Sequence, residues 1–101
     1  MTVPGGRDDP QRLVVRVPEH VVYRDFADQT VVLNLHTGRY HVLNETSSQM
    51  LDALRDTPTV AAAAQHLAPT WEVDFDVLLG DLLDLCDGLE RRGLIETHVA
   101  E

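Results

Sequence analysis

The sequence predicts an α+β domain, a three-stranded antiparallel sheet followed by three helices, and three observations carry that prediction. Residues 13–43 hold short β-branched runs with period-two alternation and a glycine-centred turn. From residue 44 to residue 92 the spacing becomes helical, with a capping residue ahead of each of three apolar stripes. The length, 101 residues, suffices for one compact core and is too short for two.

Residues 1–12 carry Pro4, Gly5, Gly6 and Pro10 without an apolar pattern, so a flexible N-terminal arm is expected there and a folded domain over 13–99. The run 13–17 is β-branched, and Pro18 confines it to an edge or a break before 20–23. Asp25 to Asp28 reads as a turn. Residues 30–35 read as a strand, with Val31, Leu33 and Leu35 alternating against Val32, Asn34 and His36. Gly38 supplies the left-handed residue of a short hairpin loop, and 40–43 returns as the partner strand.

Asn44 can cap the first helix, and Thr46–Gln49 offers a capping box one turn later, so two starts are open. Met50, Leu51 and Leu54 form its buried stripe, and Thr57-Pro58 ends it. Thr59 caps an alanine-rich helix expected to end at Ala68, before Pro69. Asp74 caps the longest helix, expected to reach Arg92, with Val73 and Leu78 spaced as a hydrophobic staple and Gly93 as the stop. Residues 94–99 can be a final strand or an extended tail. Three helices and a β-wing make a winged helix-turn-helix-like plan with the sheet placed first.

Charge is divided unevenly along the chain. Residues 1–40 balance five Arg against five acids, so the whole formal charge of −9 falls in 41–101, where three Arg face twelve acids. Such an acidic half repels phosphate backbones and anionic lipid and favours basic partners, or it serves solubility alone. The longest apolar run is five residues, Val60 to Ala64, far below the ~18 that span a bilayer. The N-terminus lacks a signal-peptide pattern, and the single cysteine, Cys86, allows no intramolecular disulfide, so a cytoplasmic setting is expected.

No active site is expected. The five histidines, at 20, 36, 41, 66 and 98, show no metal-ligand spacing, although His36 and His41 flank the hairpin loop and could face each other across it. Cys86 lies on an apolar helical face, where cysteine behaves as a small hydrophobe. Gly5-Gly6 precedes no strand–helix unit that could cradle a phosphate, so neither cofactor nor metal is implied. DNA binding suits the plan but not the charges: the last helix presents Asp74, Asp76, Asp81, Asp84, Asp87 and Glu90 before its first base, Arg91.

Peptide binding fits better. At 100° per residue from Asp74, the apolar arc of the last helix runs from Leu85 (about 20°) through Leu78, Leu89, Leu82, Phe75, Cys86 and Leu79 to Leu83 (about 180°). That is wider than the ~100° that facing one core requires. The surplus is either buried against a second element or left for a ligand. Asp76 and Asp87 border the Leu79–Leu83 flank, so that flank is the expected floor of a groove with an acidic rim, and Leu78 and Leu85 the core side. The edge strand 40–43 presents unpaired backbone groups that an extended peptide could complete.

These residues carry a resemblance. The stretch 31–54 resembles the PqqD family, with its Gly-x-Tyr…Leu-Asn-Glu-Thr signature at Gly38, Tyr40, Leu43, Asn44, Glu45 and Thr46. Residues 59–67 and 89–96 match the same pattern, and Ser47 stands where the family often has Gly, a change compatible with a helix start. The resemblance covers roughly residues 13–97. It implies a RiPP recognition element that binds the leader of a ribosomally made precursor and has no enzymatic activity. The discrete leader-binding protein of lasso-peptide pathways is the most similar member, with a separate leader peptidase and a cyclase as partners. The resemblance implies leader binding along Arg39, Tyr40, His41, Val42 and Leu43 and against Phe75, Asp76, Leu79, Leu82, Leu83, Cys86 and Asp87. A peptide chaperone of pyrroloquinoline-quinone synthesis would use the same groove, and a winged-helix transcriptional regulator is the alternative of a different class.

Overall fold

The computed structural model describes residues 10–100. The expected arm therefore falls mostly outside the described residues. Pro10–Arg12 form a turn held to the domain, because the Pro10 carbonyl accepts from the Ala61 N–H at 3.0 Å. Five strands and three helices follow in the order β1 (Leu13–Arg16), β2 (Val21–Asp25), β3 (Thr30–Asn34), β4 (Tyr40–Leu43), α1 (Glu45–Asp56), α2 (Val60–Trp71), α3 (Phe75–Arg91) and β5 (Glu96–Val99).

The expected three-stranded antiparallel sheet is β2-β3-β4, with β4 at one edge. The first strand does not join it. Pro18 breaks the chain after β1, which instead pairs antiparallel with β5 in a separate two-stranded wing, Leu13 opposite Val99 and Arg16 opposite Glu96. An Arg16–Glu96 ion pair and reciprocal bonds between Arg12 and Ala100 close that wing. Within the tail 94–99, Glu96–Val99 is thus a strand. Its partner lies some eighty residues away in sequence, which no local pattern reveals.

The sheet turns Thr30, Val32 and Asn34 toward the helices and leaves Val31 and Leu33 half-buried on the other face. Two polar side chains are tolerated inside because both are bonded. Thr30 Oγ1 donates to Asp25, and Asn34 Oδ1 accepts from the His36 and Thr37 N–H groups that open the hairpin loop. Leu35, expected in the strand, lies past its end and is exposed. Gly38 holds φ 74°, so the loop turns where the sequence placed its left-handed residue.

Each helix starts at a local cap. Asn44 accepts from Ser47 N–H, settling the earlier of the two starts, and Thr59 and Asp74 cap α2 and α3. α2 does not stop before Pro69 but runs through it to Trp71. Proline costs a helix the bond to the residue four back, here Gln65, and both residues are exposed, so the lost bond falls on the solvent face. The helix closes three residues later, where Glu72 takes the left-handed conformation and Val73 N–H reaches Ala68 O at 3.1 Å. At the end of α3, Gly93 (φ 73°) supplies the expected stop.

The core is the layer between the helices and the inward sheet face. It joins Val32 and Leu43 to Leu51 and Leu54 of α1, the small buried face of α2, and Leu78, Leu82, Cys86 and Leu89 of α3. Alanines at 61, 63, 64 and 68 let the neighbouring helices approach α2 closely. No helix among the described residues is long and apolar enough to cross a membrane.

Candidate functional site

The open edge of β4 has a definite hydrogen-bonding phase. Asn34 N–H donates to Arg39 O at 2.9 Å, so 34 and 39 are a bonded pair in the ladder that sets Leu33 opposite Tyr40 and Val32 opposite His41. Antiparallel pairs alternate between bonded and non-bonded. His41 and Leu43 therefore spend their backbone groups on β3, whereas the N–H and C=O of Tyr40 and Val42 point away from the sheet. Four main-chain groups stand at that edge, ready to pair with another strand.

Beside the edge lies a cleft of about 650 Å3 between the β3–β4 hairpin and the C-terminal end of α3, lined by Asn34, Thr37, Arg39, Tyr40, His41, Arg91, Arg92 and Leu94. Asn34 Nδ2 spans the base of it to Gly93 O at 3.5 Å. The strand pleat places Arg39 and His41 on the helix-facing side, the side on which alternate residues of an added strand would enter the cleft.

The structure brings together only part of what the sequence suggested. Arg39, Tyr40 and His41 line the cleft, and Val42 stands exposed on the open edge. Leu43 points inward and belongs to the core. Leu82 and Cys86 are each 0 % exposed, so they hold the helix in place and offer no surface. Phe75, Leu79 and Leu83 are half-buried against the core. Asp76 is exposed in the first turn of α3, at the end remote from the cleft, and Asp87 pairs with Arg91 at 3.4 Å.

Leu78 and Leu85 lie against the core, as the sequence suggested, and one contact bears on the Leu79–Leu83 flank. Thr97 Oγ1 donates to Glu90 at 2.8 Å, which ties the C-terminal end of that flank to β5 of the wing, while Leu79 and Leu83 pack half-buried on the core. Arg92, on the opposite flank with Leu85 and Gly88, is the one that lines the cleft. The rim there is basic, not acidic. Arg91, Arg92 and Leu94 escaped the sequence reading because two arginines at a helix end are sufficiently explained by the helix dipole. The available signal was their two-residue proximity to Gly93, which turns the chain back toward the sheet.

His36 and His41 do not face each other across the hairpin loop. His36 stacks on His20 with ring centroids 4.0 Å apart, next to the Leu35 N–H···O bond to His20, while His41 sits in the β4 ladder opposite Val32. No group of three or more metal-ligating side chains occurs among the described residues.

A second surface adjoins the edge. On the sheet face turned away from the helices, Val22, Leu33 and Tyr40 stand abreast, and Val31 and Val42 follow one register on. Tyr40 is 69 % exposed and Val42 44 %. An antiparallel sheet usually shows water a polar face, so this apolar one is a candidate protein-contact surface.

The family model described as coenzyme PQQ synthesis protein D (PqqD) matches residues 29–95. Among curated proteins nothing matches. Three solved structures share the fold. TbiB1 in complex with the TbiA(β) leader peptide is 25% identical, with TM-score 0.75, covering 80% of this chain and 94% of that one. A lasso peptide synthetase B1 complexed with its leader peptide is 24% identical, with TM-score 0.74 and coverage of 81% and 96%. The PqqD truncation of Methylobacterium extorquens PqqCD, a stand-alone RiPP recognition element, is 25% identical, with TM-score 0.67 and coverage of 82% and 88%.

Proposed function

Because the chain belongs to the PqqD family, we propose that it binds the leader segment of a ribosomally made precursor peptide as an added strand on β4 and delivers it to a separate leader peptidase and cyclase of a lasso-peptide pathway. The observation that carries this reading is the phase of the β4 edge. The outward N–H and C=O groups of Tyr40 and Val42 can bond an extended peptide, and the adjoining cleft takes its alternate side chains. Two of the solved structures that share the fold are leader complexes of B1 proteins, which supports the lasso assignment over quinone-cofactor synthesis.

The chain acts by binding and not by chemistry. A carrier raises the local concentration of its cargo at an enzyme without making or breaking a bond. The apolar outer sheet face, continuous with the edge strand, gives the peptidase a place to dock beside the leader.

The test is the precursor encoded next to this protein's gene. Its leader, added to the protein, is expected to slow amide exchange selectively at Tyr40 and Val42. Exchange that stays unchanged along 39–43 at saturating leader sinks strand addition. A gene neighbourhood without a short precursor and a peptidase sinks the lasso assignment.

A further inference from the structure

We propose that the cleft beside β4 is a carboxylate-reading subsite, which selects an Asp or Glu side chain of the bound peptide; this rests on the peptide-binding reading above. On a protein of net charge −9, three of the eight arginines, Arg39, Arg91 and Arg92, line one cleft together with His41, and no carboxylate is among its lining residues.

Local structure accounts for only part of that concentration. Arg91 is paired with Asp87, and Arg92 NH1 donates to Gly88 O at 3.2 Å, both ordinary uses of a cation at a helix end. Arg39 has no such role. Its N–H bonds Thr37 Oγ1, while its guanidinium forms no ion pair among the described residues. Arg39 also sits on the helix-facing side of the strand, across the cleft from Arg92. Two guanidiniums on opposite walls can each bond one oxygen of a carboxylate, whereas an amide offers one uncharged acceptor and a lysine none.

The pleat fixes where the acid must be. It lies at a peptide position whose side chain points toward the helices, opposite the Arg39 end of β4. In an antiparallel added strand that is the C-terminal part of the docked segment. The acidic surface elsewhere repels a polyanion, so Arg39 and Arg92 read a single carboxylate in a peptide and do not hold a nucleic acid backbone. Their effect is discrimination between peptides more than general capture.

An mRNA-displayed library of random peptides, selected on the wild-type protein, is the probe. Asp or Glu is expected to be enriched at one position of the aligned binders, and changing that residue to its amide is expected to weaken binding about tenfold. On an Arg39→Gln/Arg92→Gln protein the same amide change should have no further effect, and Arg39→Glu/Arg92→Glu should select Lys or Arg there. Melting curves confirm that each variant is folded, and Arg12→Gln, on the wing, serves as the control. Binders without an acid preference overturn the subsite and leave peptide binding intact. A library that yields no binder overturns both. Displacement of selected peptides by a random single-stranded oligonucleotide at matched concentration also overturns it, in favour of a phosphate ligand.

Discussion

Proline at two adjacent positions of β4 separates the open edge from the paired one. Val42 directs its N–H outward, whereas His41 donates inward to β3, as the Asn34–Arg39 bond and the ladder register require. Tyr40 and Val42 together offer two donors and two acceptors, so an added strand gains about 2–6 kcal/mol from main-chain bonds at the usual net ~0.5–1.5 each. Val42→Pro deletes one donor and places a ring where the neighbouring strand must approach. Loss of that bond and disturbance of the next costs about 2–3 kcal/mol, or roughly 30- to 150-fold in Kd. Stability changes little, because no β3 bond is lost. His41→Pro removes a bond to Val32 and leaves a buried carbonyl without its donor, so it costs about 3 kcal/mol of folding free energy. Fluorescence anisotropy with a selected peptide, and thermal melts of both variants, read the two effects. A Val42→Pro protein that binds as tightly as wild type refutes strand addition at this edge. Equal destabilisation by the two prolines refutes the assigned phase.

The remaining expectations concern residues away from the edge. Leu82→Ala, at a fully buried position, is expected to cost about 2–5 kcal/mol of stability and leave peptide affinity unchanged below its melting point, whereas Leu94→Ala, in the cleft lining and the core, is expected to lower both; denaturant titration paired with anisotropy distinguishes them. Burial pushes the Tyr23 hydroxyl up to about 12 from 10.0, against a smaller lowering by Arg55. The folded state therefore holds that proton more tightly, and the stability it contributes is complete below about pH 10 and lost as pH rises to about 12. The hydroxyl has no hydrogen-bond partner among the described residues, and Arg55 lies over the ring at 4.2 Å, a contact that phenylalanine keeps. Tyr23→Phe is thus expected to flatten the alkaline loss without lowering stability at neutral pH, and a steeper alkaline loss in the variant contradicts the sign.

What was legible in the sequence is what short-range chemistry decides. Asn44, Thr59 and Asp74 cap the helices because a side-chain oxygen reaches an N–H two or three residues on, and Gly38 and Gly93 sit where the backbone turns left-handed. Pro69 misled for the same local reason. Its prohibition is strict only where the lost donor leaves a buried carbonyl, and on the solvent face of a last turn it is not. The β1–β5 wing was hidden because its pairing partners are eighty or more residues apart, and hydrophobic alternation says nothing about which strand a strand will meet.

The hidden wing also bears on why the cleft beside β4 was not read from the sequence. A helical wheel gives the width of an apolar arc but not what stands opposite each edge of it. With one sheet in view, the flank bordered by Asp76 and Asp87 looked like a ligand floor, since nothing else in the chain was available to cover it. Once β5 pairs with β1, Glu90 is bonded to Thr97 and the C-terminal end of that flank is held against the wing. The other flank is left to face β4. It ends in Arg91 and Arg92, because cations are stabilised at a helix C-terminus, and Gly93 then brings that terminus against Asn34 of the sheet. The arginines that complement the dipole are thereby carried to the mouth of the cleft, where Arg39 meets them from the hairpin. A basic mouth on an acidic protein is thus a consequence of topology, and it makes the charge of the ligand, not its hydrophobicity alone, the property that the edge strand can sort.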